Sequence, residues 1–141
     1  MDLCDFGKQS ARWAWDRLRE ARQLNTTLGE ESITDFFLLS LKKHASGKIQ
    51  VRSFTRPEEY ITGADWEWWL TGPSGKRLGV RVQAKVISFP KLEYAHLHYK
   101  RSDGTYQCDQ LITDAIKNGA IPAYCIYTNW EPNKYSSTLE M

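Results

Sequence analysis

The sequence predicts an α/β (α+β) domain with the element order α-α-β-β-β-α-β, and three observations carry that reading. The chain has 141 residues, enough for one sizeable core and hardly enough for two. Two strand-like runs flank the turn-rich segment Gly72-Pro73-Ser74-Gly75, the pattern of a β-hairpin. A clearly periodic helix near residue 112 is followed at once by a short apolar run, which reads as a helix feeding a strand.

Taken in order, Ala11, Ala14, Trp15, Leu18 and Ala21 recur at spacings of three and four, so a short amphipathic helix is expected over residues 11–24. It belongs to an N-terminal addition, residues 1–26, ahead of the core. Thr27 and Glu30 have the spacing of a capping box, and Ile33, Phe36, Phe37, Ser40 and Leu41 trace one face of a second helix over about 28–44. Ser46-Gly47 ends it. Ile49 and Val51 then alternate with Gln50 and Arg52, an exposed strand that Pro57 interrupts; Glu58 and Glu59 fall in the loop that follows. Ala64 to Leu70 and Arg77 to Ile87 form the hairpin. A polar, aromatic stretch from Ser88 to Tyr106 separates it from a helix through Cys108, Leu111, Ile112, Ala115 and Ile116, stopped by Asn118-Gly119. Ala123 to Tyr127 is short, mostly apolar and bounded by Pro122 and Asn129, which suits a strand covered on both faces. The whole chain reads as one domain, with its core over residues 28–128 and a tail over 129–141 where periodicity is lost.

Composition excludes several classes. A hydrophobic share of 41%, with 6 Trp, 7 Tyr and 5 Phe, offers too much buryable surface for a disordered chain. The longest apolar run, Phe36 to Leu39, is far short of a membrane span, and the mixed charges of the first 30 residues do not read as a secretory signal. A cytoplasmic protein is expected. Cys4, Cys108 and Cys125 are odd in number and widely spaced, which argues against a disulfide framework or a zinc knuckle. The net charge of +2 gives no global basic field, so nucleic-acid binding would need a local patch.

Alternation in the third strand puts Val80, Val82, Ala84 and Val86 on one face and Arg81, Gln83 and Lys85 on the other. The preceding strand divides likewise, with Asp65 and Glu67 opposite in direction to Trp66, Trp68 and Leu70. Polar faces of the two strands coincide when paired residue numbers have an even sum, and the loop length suits a register that sets Asp65 opposite Gln83 and Glu67 opposite Arg81. An acid, an amide and an amine then meet. A carboxylate and a neutral oxygen can hold a hard divalent cation, and an ammonium can orient or deprotonate an attacking water.

Gly63-Ala64-Asp65 followed by Gln83-Ala84-Lys85 resembles the signature of the PD-(D/E)XK nuclease superfamily, an acid at the start of one strand and a (D/E/Q)xK tripeptide on the next. The glutamine variant is similar to Mrr-like restriction endonucleases and to nuclease effectors of bacterial antiviral defence. The resemblance covers roughly residues 28–128 and implies a restriction-endonuclease-like αβββαβ core with a mixed sheet, here with an extra N-terminal helix. It also implies a Mg2+- or Mn2+-dependent endonuclease in which Asp65, the Gln83 side-chain carbonyl and the Ala84 backbone carbonyl hold the metal and Lys85 acts on the water. Many members add a glutamate from the first core helix, here Glu30 or Glu31. DNA is the expected substrate, with RNA left open. Since one such site cuts one strand, double-strand cleavage calls for a homodimer or larger assembly, with or without a regulatory partner, and Trp13 and Trp15 offer a contact surface. A non-catalytic nucleic-acid-binding or protein-interaction module on the same fold is the rival reading.

Other residues have plainer roles. Glu67 and Arg81 suit a cross-strand ion pair, the tryptophans of the hairpin suit core packing, Cys125 suits a buried filler, and His96 and His98 suit a surface or groove lining. Lys91, Tyr99, Lys100 and Arg101 interleave basic and aromatic groups near the Lys85 strand and are the expected nucleic-acid contacts.

Overall fold

The computed structural model describes residues 2–45, 47–89 and 91–131, so most of the expected tail lies outside the described residues. Helix α1 (Leu3–Gln23) begins eight residues earlier than its apolar stripe indicated. Asp2 supplies the reason, since its side chain accepts the Asp5 N–H at 2.8 Å and caps the first turn. Phe6, Ala14, Leu18 and Ala21 are its buried residues.

Helix α2 (Glu30–His44) starts after Gly29, with no side-chain cap. The expected capping box does not form, because the Glu30 carboxylate accepts the Val86 N–H at 3.0 Å instead of turning back to its own helix. The buried face is also rotated. Ile33, Thr34, Leu38 and Leu41 point inward, whereas Phe36 is 61% exposed. Thr34 tolerates burial because its hydroxyl pairs with the Tyr127 hydroxyl at 2.8 Å.

One four-stranded sheet, ordered β1-β2-β3-β4, is built from β1 (Ile49–Ser53), β2 (Trp66–Thr71), β3 (Arg77–Val86) and β4 (Ala120–Tyr127). The first three strands are antiparallel and β4 runs parallel to β3, so the sheet is mixed. Between β1 and β2 the chain forms α3 (Arg56–Thr62), where a loop was expected. Thr55 caps it, and Pro57 sits in the first turn, where a missing N–H costs nothing. Helix α4 (Gln107–Lys117) makes the crossover from β3 to β4.

Helices α1 and α2 cover the sheet face that carries Trp66, Val82 and Ala84, in one core with Leu18, Ile33, Leu41 and Tyr127. The opposite face receives α4. Leu111 packs there with Phe54 and Ala64. Strand β4 is an edge strand, not one covered on both faces: Ile121, Tyr124 and Ile126 are 50%, 38% and 42% exposed, and an edge is where Pro122 is tolerated. Trp13 packs on Phe36 and Trp15 meets Trp130 edge-on at 4.5 Å, so both tryptophans are engaged within the chain. Among the described residues no helix is long and apolar enough to cross a membrane.

Candidate active site

The hairpin register is the one the loop length predicted, with Glu67 opposite Arg81 and Trp66 opposite Val82. Asp65 extends the pairing by one residue: its N–H donates to the Val82 carbonyl at 2.8 Å and its carbonyl accepts the Phe54 N–H at 2.9 Å. The carboxylate is thereby fixed against β3. Asp65 Oδ2 accepts the Ala84 N–H at 2.6 Å and Gln83 Nε2 at 2.9 Å.

Asp65, Gln83 and Lys85 line one cleft of about 590 Å3 with Glu30, Glu31, Glu59, His96, Tyr99 and Gln107. Alternation along β3 brings Gln83 and Lys85 there, α2 brings its first turn, and α3 brings Glu59. Burial raises the pKa of the Asp65 carboxyl, although the Ala84 N–H, the Lys85 ammonium and the Gln83 amide pull it back. Burial also raises Glu30 and Glu59, and in each the next cause is repulsion from Asp65. Lys85 is lowered by burial, with Glu30 and Asp65 opposing.

Of the two glutamates left open by the sequence, Glu30 reaches the site through Val86. Glu31 stays at the rim with its side chain 83% exposed, 3.9 Å from Arg56. Gln83 is placed in the cleft but oriented against expectation. Its Nε2 faces Asp65 and also donates to the Ala84 carbonyl at 3.2 Å, while its Oε1 accepts from Gln107 Nε2 at 3.0 Å. Gln107 in turn accepts the Lys85 ammonium on Oε1 at 2.9 Å.

Among the described residues no three His, Cys, Asp or Glu side chains come together as a metal-holding group. A cation would rest on Asp65 and on neutral oxygens. The Asp65 carboxylate, the Glu30 carboxylate that lines the same cleft, and the Ala84 carbonyl behind the Gln83 amide are all hard oxygens, the chemistry that Mg2+ and Mn2+ prefer. The repulsion that Asp65 exerts on Glu30 and on Glu59 is what a divalent cation would relieve. On those two grounds the residues fit such an ion.

Two residues of the cleft were missed or discounted. Gln107 lies one position before the expected helix start, yet Gln107, Leu111 and Ala115 share an i, i+4, i+8 stripe, and that spacing was a legible signal. Glu59 lies on α3 and not in a loop, and seven residues opened by Arg56-Pro57 are too few for an apolar period to announce that helix.

Among the expected nucleic-acid contacts, Tyr99 stands in the cleft wall, 43% exposed and edge-on to His96 at 5.5 Å. Lys91 is exposed, 3.9 Å from Glu93, and Lys100 lies over the Tyr106 ring at 5.7 Å. Arg101 is a correction. It is 9% exposed, its guanidinium stacks 4.5 Å from the Tyr60 ring centre, and it tethers the loop to α3 instead of facing solvent. The Glu67–Arg81 pair forms at 3.0 Å, but buried, and Asp114 of α4 closes on the same guanidinium.

These features define an α+β protein with a mixed sheet and an oxygen-rich cleft that holds one buried lysine. The chain belongs to the DUF6615 family, a family of unknown function whose model matches residues 3–140. No curated protein matches it.

Proposed function

We propose that this chain is a Mg2+- or Mn2+-dependent endonuclease of the PD-(D/E)XK type, acting on DNA or RNA in the cytoplasm. The observation that carries the reading is that Asp65 and Lys85, on neighbouring strands, open into one cleft with Glu30. Asp65 and the Ala84 carbonyl would hold the ion, with Glu30 completing the acidic side. A bound Mg2+ would activate water and offset charge on the phosphodiester. Burial lowers the pKa of Lys85, which makes it a better proton acceptor than an exposed lysine, and its ammonium is placed to orient a water between carboxylates. Tyr99 and His96 supply aromatic surface for a base beside the scissile bond.

One observation favours a second reading, a non-catalytic nucleic-acid or protein-binding module. The Gln83 nitrogen, and not its oxygen, faces Asp65. A plasmid-nicking assay separates the two. Under the nuclease reading, nicking requires Mg2+ or Mn2+, stops in excess chelator, and is lost in Asp65→Asn and Lys85→Ala. Nicking that persists in chelator or in Asp65→Asn rejects it. Binding to DNA without any nicking supports the module.

A further inference from the structure

Three side chains beside Asp65 form one directed run of hydrogen bonds. Lys85 is 6% exposed, and its ammonium donates to Gln107 Oε1 at 2.9 Å. An ammonium accepts no hydrogen bond, so it can only meet the oxygen end of that amide. Gln107 is left with its nitrogen toward Gln83 and donates to Gln83 Oε1 at 3.0 Å. Gln83, 3% exposed, is left in turn with its nitrogen toward Asp65 and the Ala84 carbonyl. The lysine at the head sets the direction of every link.

A hard cation beside Asp65 needs the opposite direction, because it binds the oxygen of an amide and not the nitrogen. Turning Gln83 alone would set its nitrogen against Gln107 Nε2, donor against donor. Turning Gln107 as well would present its nitrogen to the Lys85 ammonium, a second conflict that ends only when Lys85 leaves. We propose that Gln107 is a positioning residue that couples cation loading at Asp65 to the release of Lys85: both amides reverse together, Gln83 turns its oxygen to the cation, and Lys85 is freed into the cleft. This rests on the nuclease reading of the cleft. The lysine is withheld until the ion is in place.

Gln107→Leu removes both ends of the Gln107 amide at similar length and leaves Gln83 free to turn. It is expected to tighten Mn2+ binding by at least about tenfold, the worth of the charge-assisted Lys85–Gln107 hydrogen bond no longer broken on loading, read from the electron paramagnetic resonance signal of free Mn2+. A residue with a merely structural role would loosen binding. In a Gln83→Ala background the same substitution should change nothing, since no amide remains to turn. Without any change at Gln107, Mg2+ added to the wild-type protein should shift the side-chain amide NMR resonances of Gln83 and Gln107 together, and Asp65→Asn should abolish both shifts. Unchanged or weaker Mn2+ binding in Gln107→Leu, tightening that persists in Gln83→Ala, or movement of the Gln83 resonance alone would overturn the coupling while leaving the cation site standing. Wild-type protein that binds no Mn2+, or binds it equally well as Asp65→Asn, would overturn both.

Discussion

Glu30 has abandoned its own helix start to accept a backbone N–H from β3, and the consequence is a half-buried carboxyl within the electrostatic reach of a second one on Asp65. Both titrate above the ordinary carboxylate range, so the fold favours their protonated forms. The stability they contribute is therefore complete below the unfolded pKa of about 4 and is lost as pH rises through the higher folded values. Glu30→Gln removes one such group. Its urea midpoint should exceed that of wild type near neutrality, and the gap should close as pH falls to about 4. A gap independent of pH would mean that Glu30 is not held as a disfavoured anion. Asp65→Asn should likewise keep the fold while losing the proposed cation binding, because an amide oxygen can still accept the Ala84 N–H.

At the scale of elements, α4 is held over the sheet by two features near its ends. Gly63 ends α3 with φ of +68°, and a Cβ there would come 2.6 Å from the Leu111 nitrogen and 2.8 Å from the Gln107 carbonyl oxygen. Those are backbone atoms that cannot step aside. Gly63→Ala should thus cost at least about 2 kcal/mol and, by lifting the start of α4, weaken cation binding by the neighbouring Gln107 side chain's displacement. Farther along the helix, Asp114 closes on Arg81, which also pairs with Glu67 inside the protein. Removing one partner strands part of a buried charge. Asp114→Ala should destabilise by about 3 kcal/mol in chemical denaturation, toward the lower end for a broken buried pair because Glu67 remains. A change under about 0.5 kcal/mol, typical of a surface site, would show that the pair is solvated.

For the whole molecule, the segment after β4 is stitched to the first helix. Asn129 is fully buried, accepts Arg22 Nε at 3.1 Å and donates to the Trp15 carbonyl at 3.1 Å; Trp130 then meets Trp15 edge-on. The N-terminal helix is therefore part of the fold's closure and not an appendage. Asn129→Ala removes both of these hydrogen bonds and leaves a void where a fully buried side chain stood, and should cost about 2 kcal/mol, with α1 the first segment to lose amide-exchange protection. Exchange that begins instead in the sheet would place the weak point elsewhere.

Local pattern determined much of this protein. The order of the strands and main helices, the hairpin register that puts Asp65 beside Gln83, and the polar face of β3 all followed from alternation, turn residues and loop length, because those are set by neighbours in the chain. Lys85 was legible for the same reason, whereas the choice between Glu30 and Glu31 stayed open in the sequence and is decided by the Val86 N–H that holds Glu30. What lay beyond reach depended on groups far apart in sequence. The Glu30 capping box lost to a strand N–H more than fifty residues away, Thr34 was buried because Tyr127 offers it a hydroxyl, and Arg101 turned inward because Tyr60 provides a ring. A β4 covered on both faces looked reasonable from its apolar composition, yet only strand order decides which strand lies at an edge. The orientation of the Gln83 amide is the extreme case. Positions 83 to 85 do not set it by themselves: a hydrogen-bond run that begins at Lys85 and passes through Gln107 on another element decides which atom faces Asp65.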